Sequence, residues 1–437
     1  MSTMKNLILL LCIVGGWLSG SLLQAQDVRF KKYFEDFTLR IDYHRVGNRQ
    51  HDTVKVVAIE RIPLWAGSLT RLIDPFDNGD YRIVVSDPRD GRLLYSRGYN
   101  SLFREYRDTP QGRDSVACYE EVLRVPWPKL PVDIGFQKRD SNQRYQTQYH
   151  YRFDPDSAIR ELCKVSRLKT TAQAVRLQYK GNSHTKMDVV IVPEGYGPAD
   201  TAKMMRDMKT FCDYLLGQEP FSSRSGDFNV WGIPLTGEAS GITDPNKGIK
   251  VGSLVGSSYN TFGADRYLMT SHLFQLHDAI GSTPCDHIII MANSTTYGGG
   301  AIYNFYAMSS LNHMADVVLP HELGHSIGGL ADEYVDEDLS YGDMHALTVE
   351  PTEPNITTLV DFQSKWADML PAGTPVPTPA NDKVSRKENG PLGVYEGAGY
   401  HSKGIYRPVM HCMMRDYAPF CPICAKRLND IFDLYTK

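Results

Sequence analysis

Between about residues 27 and 165 the chain runs in short stretches rich in Val, Ile, Tyr and Thr. "FTLRIDYHRV", "TVKVVAIERI" and "YRIVVSDPRDGRLLYSRGY" come first, then "YEEVLRVPW" and "QRYQTQYHYRFD". Asp, Gly and Pro cut them apart. That is the pattern of short β-strands. "DPRDG" at 87–91 reads as a hairpin turn. The spacing predicts an all-β domain, with a β-sandwich as its architecture. No His, Asp or Glu cluster marks a site there, so this part reads as a packing or targeting module.

The pattern changes after about residue 165. "MDVVIVPEGY" (187–196) is a continuous apolar strand. In "ADTAKMMRDMKTFCDYLLG" (199–217), Met204, Met205, Met208, Phe211, Leu215 and Leu216 recur at helical spacing, with Asp200 placed as N-cap and Gly217 as stop. "FNVWGIPL" (228–235) and "HIIIMAN" (287–293) are further strands. "ADRYLMTSHLFQLHDAIG" (264–281) reads as a helix on which His272 and His277 are structural or solvent-facing. Three glycines form a bend before "AIYNFYAM", read as one more strand. Residues 336–405 are rich in Pro, Gly, Thr and Asp, too long for a simple connection. "CPICAKRLNDIFDLY" closes the chain as a helix. The fold class is α+β, with an N-terminal sandwich over 26–165 and an α/β domain over 166–437.

Composition narrows the function. The 437 residues are 42% hydrophobic and 22% charged, with a net charge of −4, ordinary values for a globular protein. Such a balance gives no basis for binding nucleic acid or an anionic membrane. Lys5, the apolar run "LILLLCIVGGWL" (7–18) and "SLLQA" before a cut near Ala25 form a signal peptide over 1–25. The run is too short to span a bilayer, so the mature chain is expected to carry no transmembrane segment. Export to a secreted, periplasmic or cell-surface location follows. Seven of the eight cysteines remain after cleavage, an odd number. Cys421 and Cys424 form C-P-I-C with Cys412 nearby. As a zinc knuckle this trio lacks a fourth ligand, so a local disulfide or buried thiols is the expectation.

The chemistry lies in "LPHELGHSIGGLADEY" (319–334). On a helix His321 and His325 stand one turn apart on one face, so both imidazoles can address one ion. Glu322 sits beside the first. Zinc takes imidazole nitrogens readily, keeps a position open when only three protein ligands hold it, and acidifies water placed there. A neighbouring carboxylate can take that proton. HExxH is thus two ligands and a base with geometry set by one helix. Gly328 and Gly329 can turn the chain back toward the metal. Pro320 either kinks a helix that starts upstream or opens one that starts there. The third ligand is Asp332 in first place, then Glu333, then Glu350, the last within the proline-broken "TVEPTEP". Whichever of Asp332 and Glu333 is not the ligand is expected to orient a histidine.

"HELGHSIGGLADEY" resembles the signature of the bacterial IgA-peptidase family of zinc metallopeptidases, which is metzincin-like. "YEGAGYHSKGIYRPVMHCMMRDY" (395–417) is similar to that family too. The resemblance implies a metzincin-like peptidase domain after an N-terminal β domain. It places Met414 in a tight turn as an apolar floor under the metal. Tyr406 and Arg407 are left between two roles, facing the substrate or structural packing. From the residues alone, Met410, Met413 and Met414 would be core filler.

Together these readings give a secreted zinc metalloendopeptidase. Zn²⁺ is held by His321, His325 and Asp332, Glu322 is the general base, and the substrate is polypeptide, with extracellular glycoproteins such as IgA suggested by the family. Strand "AIYNFYAM" would take the substrate as an added strand. The rival is an extracellular glycan- or protein-binding module whose metal is structural. Chelator-sensitive cleavage separates the two. The sequence carries no feature that sets an oligomeric state.

Overall fold

The computed structural model describes residues 28–161, 172–336, 345–381 and 383–437. The leader expected over 1–25, Cys12, Cys163 and the boundary expected at 165 lie outside these residues. Seven strands form first: β1 (Phe34–Gly47), β2 (Asp52–Pro63), β3 (Tyr81–Ser86), β4 (Leu93–Tyr99), β5 (Ala117–Pro128), β6 (Val132–Arg139) and β7 (Tyr145–Phe153). They make two antiparallel sheets, ordered β2-β1-β5 and β4-β3-β6-β7. The alternation in the sequence puts Leu39, Ile41 and Tyr43 of one sheet and Ile83, Val85, Ile134 and Phe136 of the other into one core. Tyr43 meets Phe136 edge-on at 5.0 Å, and Trp127 meets Phe153 at 5.2 Å. The expected turn forms at 87–91: Gly91 has φ 72°, and its N–H donates to the Asp87 carbonyl at 2.8 Å.

A six-stranded sheet follows: β8 (Val175–Gln178), β9 (Met187–Glu194), β10 (Phe228–Gly232), β11 (His287–Ala292), β12 (Gly299–Ile302) and β13 (Tyr306–Ser310), ordered β12-β13-β11-β9-β10-β8. Strands β13, β11, β9 and β10 run parallel, and the outer two antiparallel. The continuous apolar runs of β9 and β11 are buried throughout, as strands covered on both faces require. Their period-two alternation divides two cores. Val190, Val192, Ile288 and Ile290 join the core of the β-sandwich. Val189, Ile191, Ile289 and Met291 join a second core with helices Thr201–Gly217, Ala315–Ser326 and Pro422–Thr436. The sandwich is therefore seated on one face of the larger sheet and shares its core. Polar links reinforce that seat: Arg40 pairs with Asp278 at 2.8 Å, and the Tyr267 hydroxyl donates to Glu105 at 2.6 Å.

Two local expectations are corrected. "AIYNFYAM" is not one strand. Asn304, at φ 57°, turns the chain, so β12 and β13 form a hairpin and β12 is the sheet's edge. The helix expected over 264–281 covers only Leu273–Ile280. Before it, the Thr270 hydroxyl accepts the N–H of His272 and donates to the Val255 carbonyl, which competes with helical bonding. His272 is exposed and His277 buried, matching the structural or solvent-facing reading. The long 336–405 stretch contributes a hairpin, β14 (Tyr395–Ala398) and β15 (His401–Arg407). Among the described residues no helix is long and apolar enough to cross a membrane.

Candidate metal centre

Helix Ala315–Ser326 carries His321, Glu322 and His325 and is buried along nearly its whole length. It starts five residues before Pro320, so the proline lies inside it, where it removes a backbone donor. The helix packs beneath the β12–β13 hairpin. Gly299 lets it approach closely: a Cβ built there would fall 2.7 Å from Glu322 Oε1. Gly324, between the two histidines, has the same function on the opposite side, where a Cβ would fall 2.4 Å from Met414 Sδ. Met414 is fully buried against the helix.

After Ser326 the chain turns as the glycines suggested. Gly329 takes φ 58°, and its carbonyl accepts from Asn78 Nδ2 of the sandwich at 3.2 Å. The turn brings Asp332 back to the helix. His321 Nε2 and His325 Nε2 are 3.2 Å apart, and Asp332 Oδ1 is 3.2 Å from the first and 3.3 Å from the second. A zinc ion with bonds of about 2.0–2.1 Å at tetrahedral angles sets its ligand atoms about 3.3 Å apart, so the triangle has the size of one face of such a site.

The donor set also fits a cation chemically. His321 Nδ1 faces the Met413 carbonyl at 2.9 Å, and His325 Nδ1 faces the Leu330 carbonyl at 2.7 Å. A carbonyl only accepts, so each Nδ1 carries the proton and each neutral ring turns a lone pair inward at Nε2. Asp332 Oδ1 is buried with no hydrogen-bond donor. Three acceptors thus converge where only protons or a cation can reconcile them. Burial opposes charge on all three groups. The Asp332 carboxylate nonetheless holds both rings above the usual histidine range, His325 at about 9, and the rings hold Asp332 well below the carboxylate range. A divalent ion would take the place of those protons. Burial pushes the Glu322 carboxyl up.

The structure separates the three acids considered for the third position. Asp332 joins the histidines. Glu333 leaves the chain on the other side, toward Asn355 and Cys424, and orients no histidine, contrary to expectation. Consecutive residues of an extended segment send their side chains opposite ways, so both acids cannot reach one ion. Glu350 is engaged by the Thr358 hydroxyl and the Asp361 N–H. Of the two roles left open for Tyr406 and Arg407, the structure shows packing. Tyr406 pairs through its backbone with Thr357, and the buried Arg407 guanidinium donates to the carbonyls of Glu396 and Gly397.

The triangle opens into a cleft of about 500 Å³. Comparison with known protein families places the chain. A model described as IgA peptidase M64 matches residues 175–390 and 384–432, and one described as Peptidase M64 N-terminus matches residues 29–150. The chain belongs to the IgA peptidase M64 family. No curated protein matches it. M64 peptidases are metallopeptidases, in keeping with the cluster of His321, His325 and Asp332.

Several residues of this M64 site escaped the sequence. The Tyr400 hydroxyl donates to Asp332 Oδ2, fixing the carboxylate's rotation. Tyr417 stands with its ring 5.5 Å from that of His321 and its hydroxyl bonded to that of Tyr297. Arg266 lines the cleft and donates to the Tyr334 hydroxyl at 3.2 Å. A left-handed residue is the one signal that could have marked Tyr400 and Tyr417, at φ 71° and 62°, and it is invisible in a side chain's identity.

Proposed function

We propose that this chain is an exported zinc endopeptidase in which His321, His325 and Asp332 hold the metal and Glu322 is the general base. The observation that carries the reading is the triangle of three inward-facing acceptors, with Glu322 next to it on the same helix, at the floor of an open cleft. A structural metal is normally closed by four protein ligands, so the open side favours catalysis over the binding-module alternative.

An ion held there would supply Lewis acidity, polarising a substrate carbonyl and acidifying water. The protein's groups do the rest. Glu322 takes a proton from the attacking water on its carboxylate and returns it to the leaving amine. Tyr400 holds Asp332 in place, while the Met413 and Leu330 carbonyls hold the two imidazoles. Strand β12 forms the cleft wall and offers backbone groups to an extended peptide. Part of that edge is taken, because Gly299 exchanges hydrogen bonds with Arg266 and Leu268, so Gly300–Ile302 is the segment left for substrate. Extracellular glycoproteins, immunoglobulin A first among them, are the substrates to try.

The deciding experiment is Glu322→Gln, assayed on a proteome-derived peptide library with and without chelator. Metal content should stay as in the wild type while cleavage falls about 10²–10⁴-fold. Undiminished cleavage by the variant would remove Glu322 from its role. Wild-type cleavage that ignores the chelator would overturn the metal mechanism.

A further inference from the structure

Beneath the cleft lies a second cluster of metal-binding groups. Cys412, Cys421, Cys424 and Glu333 bring their ligand atoms within 4.8 Å of one another, and all four residues are fully buried. We propose that these four side chains hold a second, structural zinc ion. The cysteine trio that looked one ligand short in the sequence gains its fourth from Glu333, 91 positions before Cys424.

Distances favour a metal over a disulfide. Cys412 Sγ and Cys424 Sγ are 3.7 Å apart, and Cys424 Sγ is 3.4 Å from Glu333 Oε1. Tetrahedral zinc with Zn–S near 2.3 Å and Zn–O near 2.0–2.2 Å sets sulfurs about 3.8 Å apart and sulfur from oxygen about 3.6 Å. A disulfide needs about 2.05 Å. It would also use two of the three sulfurs and leave the third beside a buried carboxylate.

That carboxylate is the second observation. Glu333 Oε1 accepts from Asn355 Nδ2 at 2.9 Å, but Oε2 is buried with no donor. Burying an acid without a counter-charge is costly. Arg407 is near enough to feel the carboxylate, yet its Nη1 is spent on the carbonyls of Glu396 and Gly397. The sulfurs are prepared as acceptors too. The Cys421 N–H points at Cys412 Sγ at 3.4 Å, and the Cys424 N–H at Cys421 Sγ at 3.5 Å, where helix Pro422–Thr436 begins. N–H donors of this kind stabilise thiolates, and each thiol gives its proton to solvent as it binds the ion.

Such an ion would be a positioning device for the cleft above. Glu333 follows Asp332 directly, and its N–H donates to the Met414 carbonyl at 2.8 Å. Cys412 directly precedes Met413, whose carbonyl holds His321. One ion would tie together the segment that supplies the third cleft ligand and the turn that supports the first.

The test uses the full mature chain with both cleft histidines removed, His321→Ala/His325→Ala, so its outcome is independent of the peptidase proposal. One equivalent of zinc should remain, against two in the wild type. Cobalt substitution of the same variant should give thiolate-to-cobalt charge-transfer absorption in the near ultraviolet, which imidazole and carboxylate ligands do not produce. Adding Cys421→Ser/Cys424→Ser should abolish both signals; if that protein does not fold, the cobalt spectrum of the histidine variant alone decides. A metal-free histidine variant without the cobalt band would overturn the proposal. So would a disulfide among these three cysteines found by mass spectrometry of unreduced peptides.

Discussion

Asp332 and Glu333 are neighbours in the chain and belong to two different clusters. Asp332 joins two imidazoles at the floor of a cleft, with one side open. Glu333 joins three thiols in a sealed core, with no face toward solvent. The two clusters differ in the features that separate catalytic from structural metal sites: three ligands against four, nitrogen and oxygen against mainly sulfur, open against closed. An ion in the first can exchange and act on a substrate, whereas one in the second can only brace. The alternation of an extended chain is enough to place the two acids so differently.

The largest expected effect comes from selective metal removal. Brief dialysis against a chelator should abolish cleavage while circular dichroism and the sealed cluster's cobalt band persist, because only the open site exchanges readily. Simultaneous loss of both would erase the distinction. A smaller effect is expected from Tyr400→Phe, which frees Asp332 to rotate. Losing such an outer partner typically costs about 10–100-fold in metal affinity or activity. A titration with zinc should show weaker binding at the open site and none of that weakening at the sealed one. Gly324→Ala pushes a methyl into Met414 and should destabilise the fold by about 1–3 kcal/mol, read as a lowered Tm. An unchanged Tm would mean that Met414 moves aside at little cost.

The smallest effect concerns the cleft wall, where burial pushes Glu105 up to about 7 despite the hydrogen bond from Tyr267. Its folded pKa lies above the unfolded value of about 4.3. The folded state therefore favours the protonated form, and stability falls as pH rises from about 4.3 through about 7. Glu105→Gln should abolish that loss, so the variant's Tm advantage should grow from about pH 5 to pH 8. A constant Tm difference over that range would show that Glu105 ionises as it would in water.

What the sequence revealed of this site follows from how far each contact reaches along the chain. His321, Glu322 and His325 were legible because one helical turn sets their spacing. Asp332 was legible as the first choice ahead of Glu333 and Glu350, because Gly328 and Gly329 marked the turn back. Hidden were the contacts that hold the cluster: Tyr400, 68 positions from Asp332, and the Met413 carbonyl, 92 positions from His321. Glu333 could not be joined to the cysteines by spacing at all. In the fold, the sandwich strands were plain from Val, Ile, Tyr and Thr runs cut by Asp, Gly and Pro, and the strands at 187–196 and 287–293 from their apolar residues. The β12–β13 hairpin was hidden because Asn304 turns the chain inside a run of strand-forming residues.

Val190, Val192, Ile288 and Ile290 point into the sandwich, not away from it. Cut anywhere between residues 161 and 172, the carboxy-terminal half would present that apolar wall to water. Its edge would also lose Asn78, which braces the bend behind the histidine helix. Truncated forms made to study the peptidase half in isolation should clump, and co-expression of the two pieces should rescue them.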